Sequence, residues 1–204
     1  MTLRVRWHKA HRLREHRFLR IVEAIFWIAG GLAVGFCALA YFRATVYQSF
    51  ESREFERSLK LAAPRGTTIV HDGLCARTVS RLEIPRLAVS VMVAEGVAPR
   101  TLRLGAGHIP GTALPAEVGN VGISAHRDTF FRALRGIHLG DEITLTTLEG
   151  SSQYVVEWTR IVNPKDRNVL AASKEPVLTL VTCYPFYYLG PTPQRFIVRA
   201  RRIG

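Results

Sequence analysis

A chain of 204 residues has room for one domain of ordinary size and an appendage, which excludes a string of separately cored domains. Its formal net charge of +12 is uneven: Arg4, Arg6, Lys9, Arg12, Arg14, Arg17 and Arg20 stand against Glu15 alone, so the first twenty residues carry half of the excess. A basic tail can bind nucleic acid, but the segment that follows supplies a simpler reason for it, and no nucleic-acid partner is expected.

Residues 24–42 (AIFWIAGGLAVGFCALAYF) contain no charged side chain. At helical rise nineteen residues span roughly 28 Å, close to the hydrocarbon thickness of a bilayer. Trp27, Tyr41 and Phe42 lie towards the ends, where interfacial aromatics belong. The basic flank puts the N-terminus in the cytoplasm and the rest of the chain outside, in the plasma (inner) membrane, as a single-pass anchor. A cleavable signal peptide is the rival reading, because Ala38-Leu39-Ala40 is a small-x-small triplet after the apolar run. The long basic lead and long apolar run favour the uncleaved anchor. The expected division is a tail over 1–20, a transmembrane anchor over 21–42, a juxtamembrane helix and linker over 43–75, and a folded domain over 76–204.

Residues 43–60 are polar, with aromatics at near-helical spacing, and read as a helix or stalk. Residues 62–75, with Pro64, Gly66 and Gly73, read as linker or an irregular lead-in strand. From Ser80 onward come short strands punctuated by Gly and Pro. They are expected at 81–85, 89–93, 121–124, 143–147, 154–162, 177–183 and 195–203, with one helical turn at 101–105. This pattern fits an antiparallel barrel or a sandwich and does not choose between them. Internal repeats and a Gly-rich phosphate loop are absent from the sequence.

The chemistry concentrates around Leu178-Thr179-Leu180-Val181-Thr182-Cys183-Tyr184-Pro185, a buried-strand pattern ending in a cysteine. A core cysteine is the plain reading of that stretch alone. Two other residues change the balance. His126 lies 57 positions upstream in His126-Arg127-Asp128-Thr129-Phe130-Phe131, and Arg195 lies 12 positions downstream at the start of the next strand. A cysteine with a distant histidine suits a thiolate nucleophile, and an arginine can hold a developing oxyanion. His8, His11 and His16 belong to the basic tail, and His71, His108 and His138 lack a partnering motif. Arg199, Arg201 and Arg202 read as a solvated basic face.

Thr179-Leu180-Val181-Thr182-Cys183 resembles the T-L-x-T-C signature of sortases, and His126-Arg127-Asp128-Thr129-Phe130-Phe131-Arg132 resembles their histidine segment in its class D form. The resemblance covers about residues 78–204 and the anchor layout before them. It implies an all-β fold: a closed eight-stranded β-barrel with short helices, preceded by one transmembrane helix. It also implies a membrane-anchored cysteine transpeptidase. Cys183 attacks a sorting signal of the Leu-Pro-x-Thr-Gly kind, His126 acts as acid to the leaving amine and base to the incoming one, and Arg195 positions substrate and oxyanion. The acyl chain then passes from a thioester to an amine. The implied partners are proteins with a C-terminal sorting signal, an amine acceptor (a cell-wall precursor or a protein lysine) and the lipid bilayer. Thr182 is a candidate for supporting the oxyanion, and Asp128 for orienting the imidazole or pairing with Arg127, with a structural place in the turn favoured. Hydrolysis alone, or a non-enzymatic membrane-tethered β module, are the competing classes.

One departure stands out: many relatives have Gly before the histidine, whereas this chain has Ala125, whose methyl could restrict the backbone or crowd the cleft. Substrate preference is expected in the loops 163–173 and 187–193, with Tyr184, Phe186, Tyr187 and Tyr188 either walling an apolar groove or packing in the core. An extracytoplasmic compartment permits a Cys75–Cys183 disulfide, which would cap the nucleophile as a redox gate. Glu83, Glu95, Glu117, Asp141 and Glu142 are scattered and form no calcium loop, so neither metal nor cofactor is expected.

Overall fold

The computed structural model describes residues 3–62, 78–188 and 190–203. It falls into two compact units, one up to Arg43 and one from Ala44 onward.

Helix α1 (Leu3–Ala62) begins in the first unit and ends in the second. No proline interrupts it, and it is rich in the strong helix formers Ala, Leu and Arg. Within the first unit Ile25, Phe26, Trp27, Ile28, Leu32, Val34 and Phe36 are all exposed. The stretch has mean hydropathy 2.0, and none of it is covered by protein. It is the one helix among the described residues long and apolar enough to cross a membrane.

The second unit is built on eight strands: β1 (Thr78–Ile84), β2 (Val89–Glu95), β3 (Ala106–His108), β4 (Asn120–Ser124), β5 (Glu142–Thr146), β6 (Ser151–Val162), β7 (Val177–Tyr184) and β8 (Gln194–Arg202). They close into a barrel in the order β1-β2-β3-β4-β7-β8-β6-β5. Pairing is antiparallel except for β2 with β3 and β4 with β7. The sequence pattern left barrel and sandwich open; the closed barrel implied by the family resemblance is what forms. Alternation puts Leu82, Ile84, Ile123, Ile143, Leu145, Leu178, Leu180, Val198 and Ala200 into one core, with Phe131 and Leu134 closing over it. Each fully buried aliphatic side chain stabilises this core by about 2 kcal/mol.

A short helix, α2 (Pro99–Leu104), leads into β3, which the strand pattern did not reveal. At Gly107 a Cβ would lie 2.2 Å from the Gly96 carbonyl oxygen, so the parallel β2–β3 contact tolerates no side chain there. Three residues of β3 leave the first half of β2 uncovered on that side. The second unit's part of α1 fills the gap: the Gln48 amide accepts from the Met92 N–H at 2.9 Å and donates to the Leu104 carbonyl at 2.5 Å. Phe55 is buried, and Glu56 takes a 2.6 Å hydrogen bond from Arg81. Residues 44–57 are therefore packed as part of the barrel domain. The expected lead-in at 63–75, including Cys75 and His71, lies outside the described residues.

Candidate active site

Cys183 on β7 and Arg195 on β8 are direct register partners. β4 runs parallel to β7 with Ser124 opposite Val181, so the chain leaves β4 at the same rim, two residues before His126. The Ala125 N–H extends that ladder to the Val181 carbonyl at 3.3 Å. The buried Thr182 hydroxyl donates to the Ala125 carbonyl at 2.8 Å. Two strand ends and one strand start thus gather His126, Cys183 and Arg195 at one rim, although they lie far apart in sequence. The hydroxyl proton of Thr182 is engaged in tethering the peptide next to His126.

All three side chains are half-buried. Among the described residues no hydrogen bond joins them to one another. Arg195 folds back on its own loop, its Nη1 donating to the Thr192 hydroxyl at 3.2 Å and the Gln194 carbonyl at 3.0 Å. Cys183 is a free thiol; Cys75, considered as a disulfide partner for it, lies outside the described residues. Ala125 is buried in the core cluster and is not among the residues with positive φ. Its methyl therefore packs inward without straining the backbone, and the expectation that it crowds the cleft is corrected.

Asp128 is exposed and makes no hydrogen bond or ion pair among the described residues. Arg127 does not pair with it. Its guanidinium donates instead to the carbonyls of Pro185 (2.9 Å), Tyr188 and Gly190, clamping the loop that follows Cys183. The aromatics next to the cysteine divide. Phe186 and Phe196 pack on the core with ring centroids 5.4 Å apart, whereas Tyr187 and Tyr188 are exposed. The basic face expected along β8 is also divided: Arg199 is half-buried against the Trp158 ring at 5.5 Å, and burial pushes its guanidinium down in pKa.

Several polar residues elsewhere in the barrel domain had no motif to announce them. His108 is buried, with Nδ1 2.8 Å from Glu95 Oε2 and Nε2 2.9 Å from the Ala113 carbonyl. Thr112, 3.0 Å from the same imidazole, receives the Gly122 N–H at 3.0 Å. Asn120 accepts from the buried Thr179 hydroxyl and donates to the Val169 and Ala171 carbonyls, pinning the β6–β7 loop over the outer face of β4 and β7. Asp141 accepts both Arg86 Nε and Nη2, a bidentate pair that ties the β1–β2 turn to the segment before β5. Two of the scattered acids considered for calcium, Asp141 and Glu95, thus face Arg86 and His108. No group of three metal-ligating side chains occurs among the described residues.

The Arg86 guanidinium holds the Asp141 carboxyl below the usual carboxylate range, and the His138 N–H acts in the same direction. A depressed native pKa gives stability that is fully present above the unfolded value of about 4 and lost as pH falls through the native one. Asp141→Ala should therefore lower Tm by about 3–6 °C at pH 7. In urea titrations at a series of pH values, the gap between wild type and variant should close only below about pH 4; a gap that closes near neutrality would refute the assignment.

A cleft of about 310 Å³ lies between the β1–β2 region and the segment 129–135, and His126, Cys183 and Arg195 are not among its lining residues.

Comparison with known proteins bears on these features directly. The Sortase domain family model matches residues 82–203, which spans all three site residues. Sortase D of Bacillus subtilis (strain 168) is 35% identical over 123 residues, 60% of this chain; the match spans 62% of that relative's length. Among solved structures, a sortase D5 transpeptidase of Clostridium perfringens superposes with TM-score 0.62 at 28% identity, covering 74% of this chain and 95% of that one. Sortase C1 of Streptococcus agalactiae superposes with TM-score 0.60 at 25% identity, covering 74% and 89%. Family model, relatives and barrel agree, and the chain belongs to the sortase family, most like its class D.

Proposed function

We propose that the protein is a membrane-anchored cysteine transpeptidase that cleaves a Leu-Pro-x-Thr-Gly-like sorting signal and transfers the acyl part to an amine. The single observation that carries this reading is the Cys183–Arg195 register pair at the rim where His126 leaves β4. Cys183 Sγ attacks the carbonyl carbon of the scissile bond, and the Arg195 guanidinium stabilises the oxyanion. The C–N bond breaks as His126 gives a proton to the departing amine, leaving a thioester on Cys183. An incoming amine then attacks that carbonyl; its proton passes to His126, the C–S bond breaks, and the thiolate is restored. The exposed Tyr187 and Tyr188 offer apolar surface to the substrate beside the nucleophile. Substrates are proteins bearing a C-terminal sorting signal, and the acceptor is an amine of a cell-wall precursor or a protein lysine.

The exposed apolar helix is the anchor, its basic flank lies in the cytoplasm, and the catalytic domain lies outside the plasma membrane. The test is to incubate the full chain in detergent with fluorescent Leu-Pro-x-Thr-Gly and Leu-Pro-x-Thr-Ala peptides, with and without diglycine. A ligated product that appears only with amine is the expected result. Cleavage indifferent to amine would make the protein a peptidase, and no turnover together with an unreactive thiol would make it a non-enzymatic module.

A further inference from the structure

His126, Cys183 and Arg195 meet at one rim, yet no hydrogen bond among the described residues orients the His126 ring. Its place is set through the residues on either side of it. Before it, the Ala125 N–H and carbonyl are tied to Val181 and Thr182, both on β7 just ahead of Cys183. After it, the half-buried Arg127 reaches the other side of the cysteine. Its Nη1 donates to the Pro185 carbonyl at 2.9 Å, two residues beyond Cys183. Its Nη2 donates to the Tyr188 carbonyl and to the more distant Gly190 carbonyl at 3.5 Å. The two neighbours of the histidine thus bracket the stretch that carries the nucleophile.

Three features set Arg127 apart from an ordinary surface arginine. All of its acceptors are backbone carbonyls, so the grip fixes the course of the loop and not a single side chain on it. Arg127 forms no ion pair among the described residues, and Asp128 beside it is left exposed, so the guanidinium is committed to the loop. That loop joins the register partners Cys183 and Arg195, and its far end is held by Arg195 itself, through the Thr192 hydroxyl and the Gln194 carbonyl. One planar guanidinium presents donors in fixed directions to several carbonyls at once, which a flexible ammonium does not.

We propose that Arg127 is a positioning residue of the transpeptidation: by holding the loop that follows Cys183, it sets the distance and angle at which the His126 imidazole faces the sulfur and the departing amine. This inference rests on the transpeptidase reading. Arg127 touches no reacting atom and exchanges no proton. Its effect passes through His126, which precedes it in the chain and whose carbonyl accepts the Phe131 N–H at 3.0 Å, closing the turn that contains both. A shift of about 1 Å in a group that moves protons costs up to about 100-fold in rate.

The test measures acylation of the full chain in detergent by a Leu-Pro-x-Thr-Gly peptide and by an activated ester of the same Leu-Pro-x-Thr acyl group. Arg127→Ala should lower kcat with the peptide about 20-fold while KM stays within about three-fold. With the ester, whose leaving group needs little help from an acid, the loss should shrink to about three-fold. Arg127→Lys keeps the charge without the fork and should fall between wild type and the alanine variant; it carries the same peptide-to-ester comparison if the alanine variant does not fold. In a His126→Ala background, Arg127→Ala should cost less than about two-fold, because the group it positions is gone. Equal losses with peptide and ester, an undiminished loss in the His126→Ala background, or wild-type turnover by Arg127→Ala would each overturn the assignment while leaving the transpeptidase standing. No Cys183-dependent acylation of the wild type by either substrate would overturn both.

Discussion

Cys183→Ala should lower ligation of a sorting-signal peptide by at least about 10⁴-fold while leaving Tm within a few degrees of wild type. The loss is large because the step it removes is covalent: without sulfur no acyl-enzyme forms, and neither His126 nor Arg195 can supply a nucleophile in its place. The stability cost is small because the thiol is half-buried, has no hydrogen bond among the described residues, and sits where β7 leaves the barrel core. Paired measurements make the prediction sharp. Intact-mass analysis should trap a peptide adduct on wild type and none on the variant. Residual ligation within about ten-fold of wild type would sink the assignment of Cys183 as nucleophile.

His126→Ala is the second large effect, an expected loss of about 10³-fold. Its value lies in how the loss depends on the groups that take and give protons. A peptide amide leaves only when protonated, so acylation should suffer fully. An activated ester with a good leaving group needs little help from an acid, and the defect in acylation should shrink with such a substrate. In the same way, hydroxylamine, a nucleophile that is unprotonated at neutral pH, should recover more of the second step than glycine does. A defect of equal size across leaving groups and nucleophiles would mean that His126 shapes the rim without moving protons.

The elements with strong periodicity were legible in sequence. The apolar helix, the buried-strand pattern of β7 and the alternation of β6 and β8 each follow from side-chain chemistry over eight residues or more. β3 was not legible, because three residues carry no period; it exists through parallel pairing with β2 and through Gly107, where only a hydrogen fits against Gly96. The site divides in the same way. The motifs around His126 and Cys183 nominated the residues, but strand order alone determines that β4 lies beside β7, and no spacing rule reveals a parallel crossover. Arg127 could not be read correctly either. Its neighbour Asp128 offers the obvious partner, yet the guanidinium reaches across 58 residues to the Pro185 carbonyl. His108 had no motif because its carboxylate partner, Glu95, becomes a neighbour only when β2 and β3 pair. Long-range polar pairing of this kind follows from topology and leaves no local signature.

The amide of Gln48 bears on where the soluble enzyme begins. A fragment cut after the apparent stalk, for example at residue 61, would look complete by its strands. It would lack the side chain that caps the Met92 N–H and the Leu104 carbonyl, and the Phe55 ring that is buried with it. The first half of β2 would then be an uncovered strand edge, the feature that recruits a second chain and drives aggregation. Cutting at residue 44 instead retains this cover. Poor solution behaviour of the shorter fragment would then reflect a missing part of the barrel wall and not any weakness in the catalytic fold.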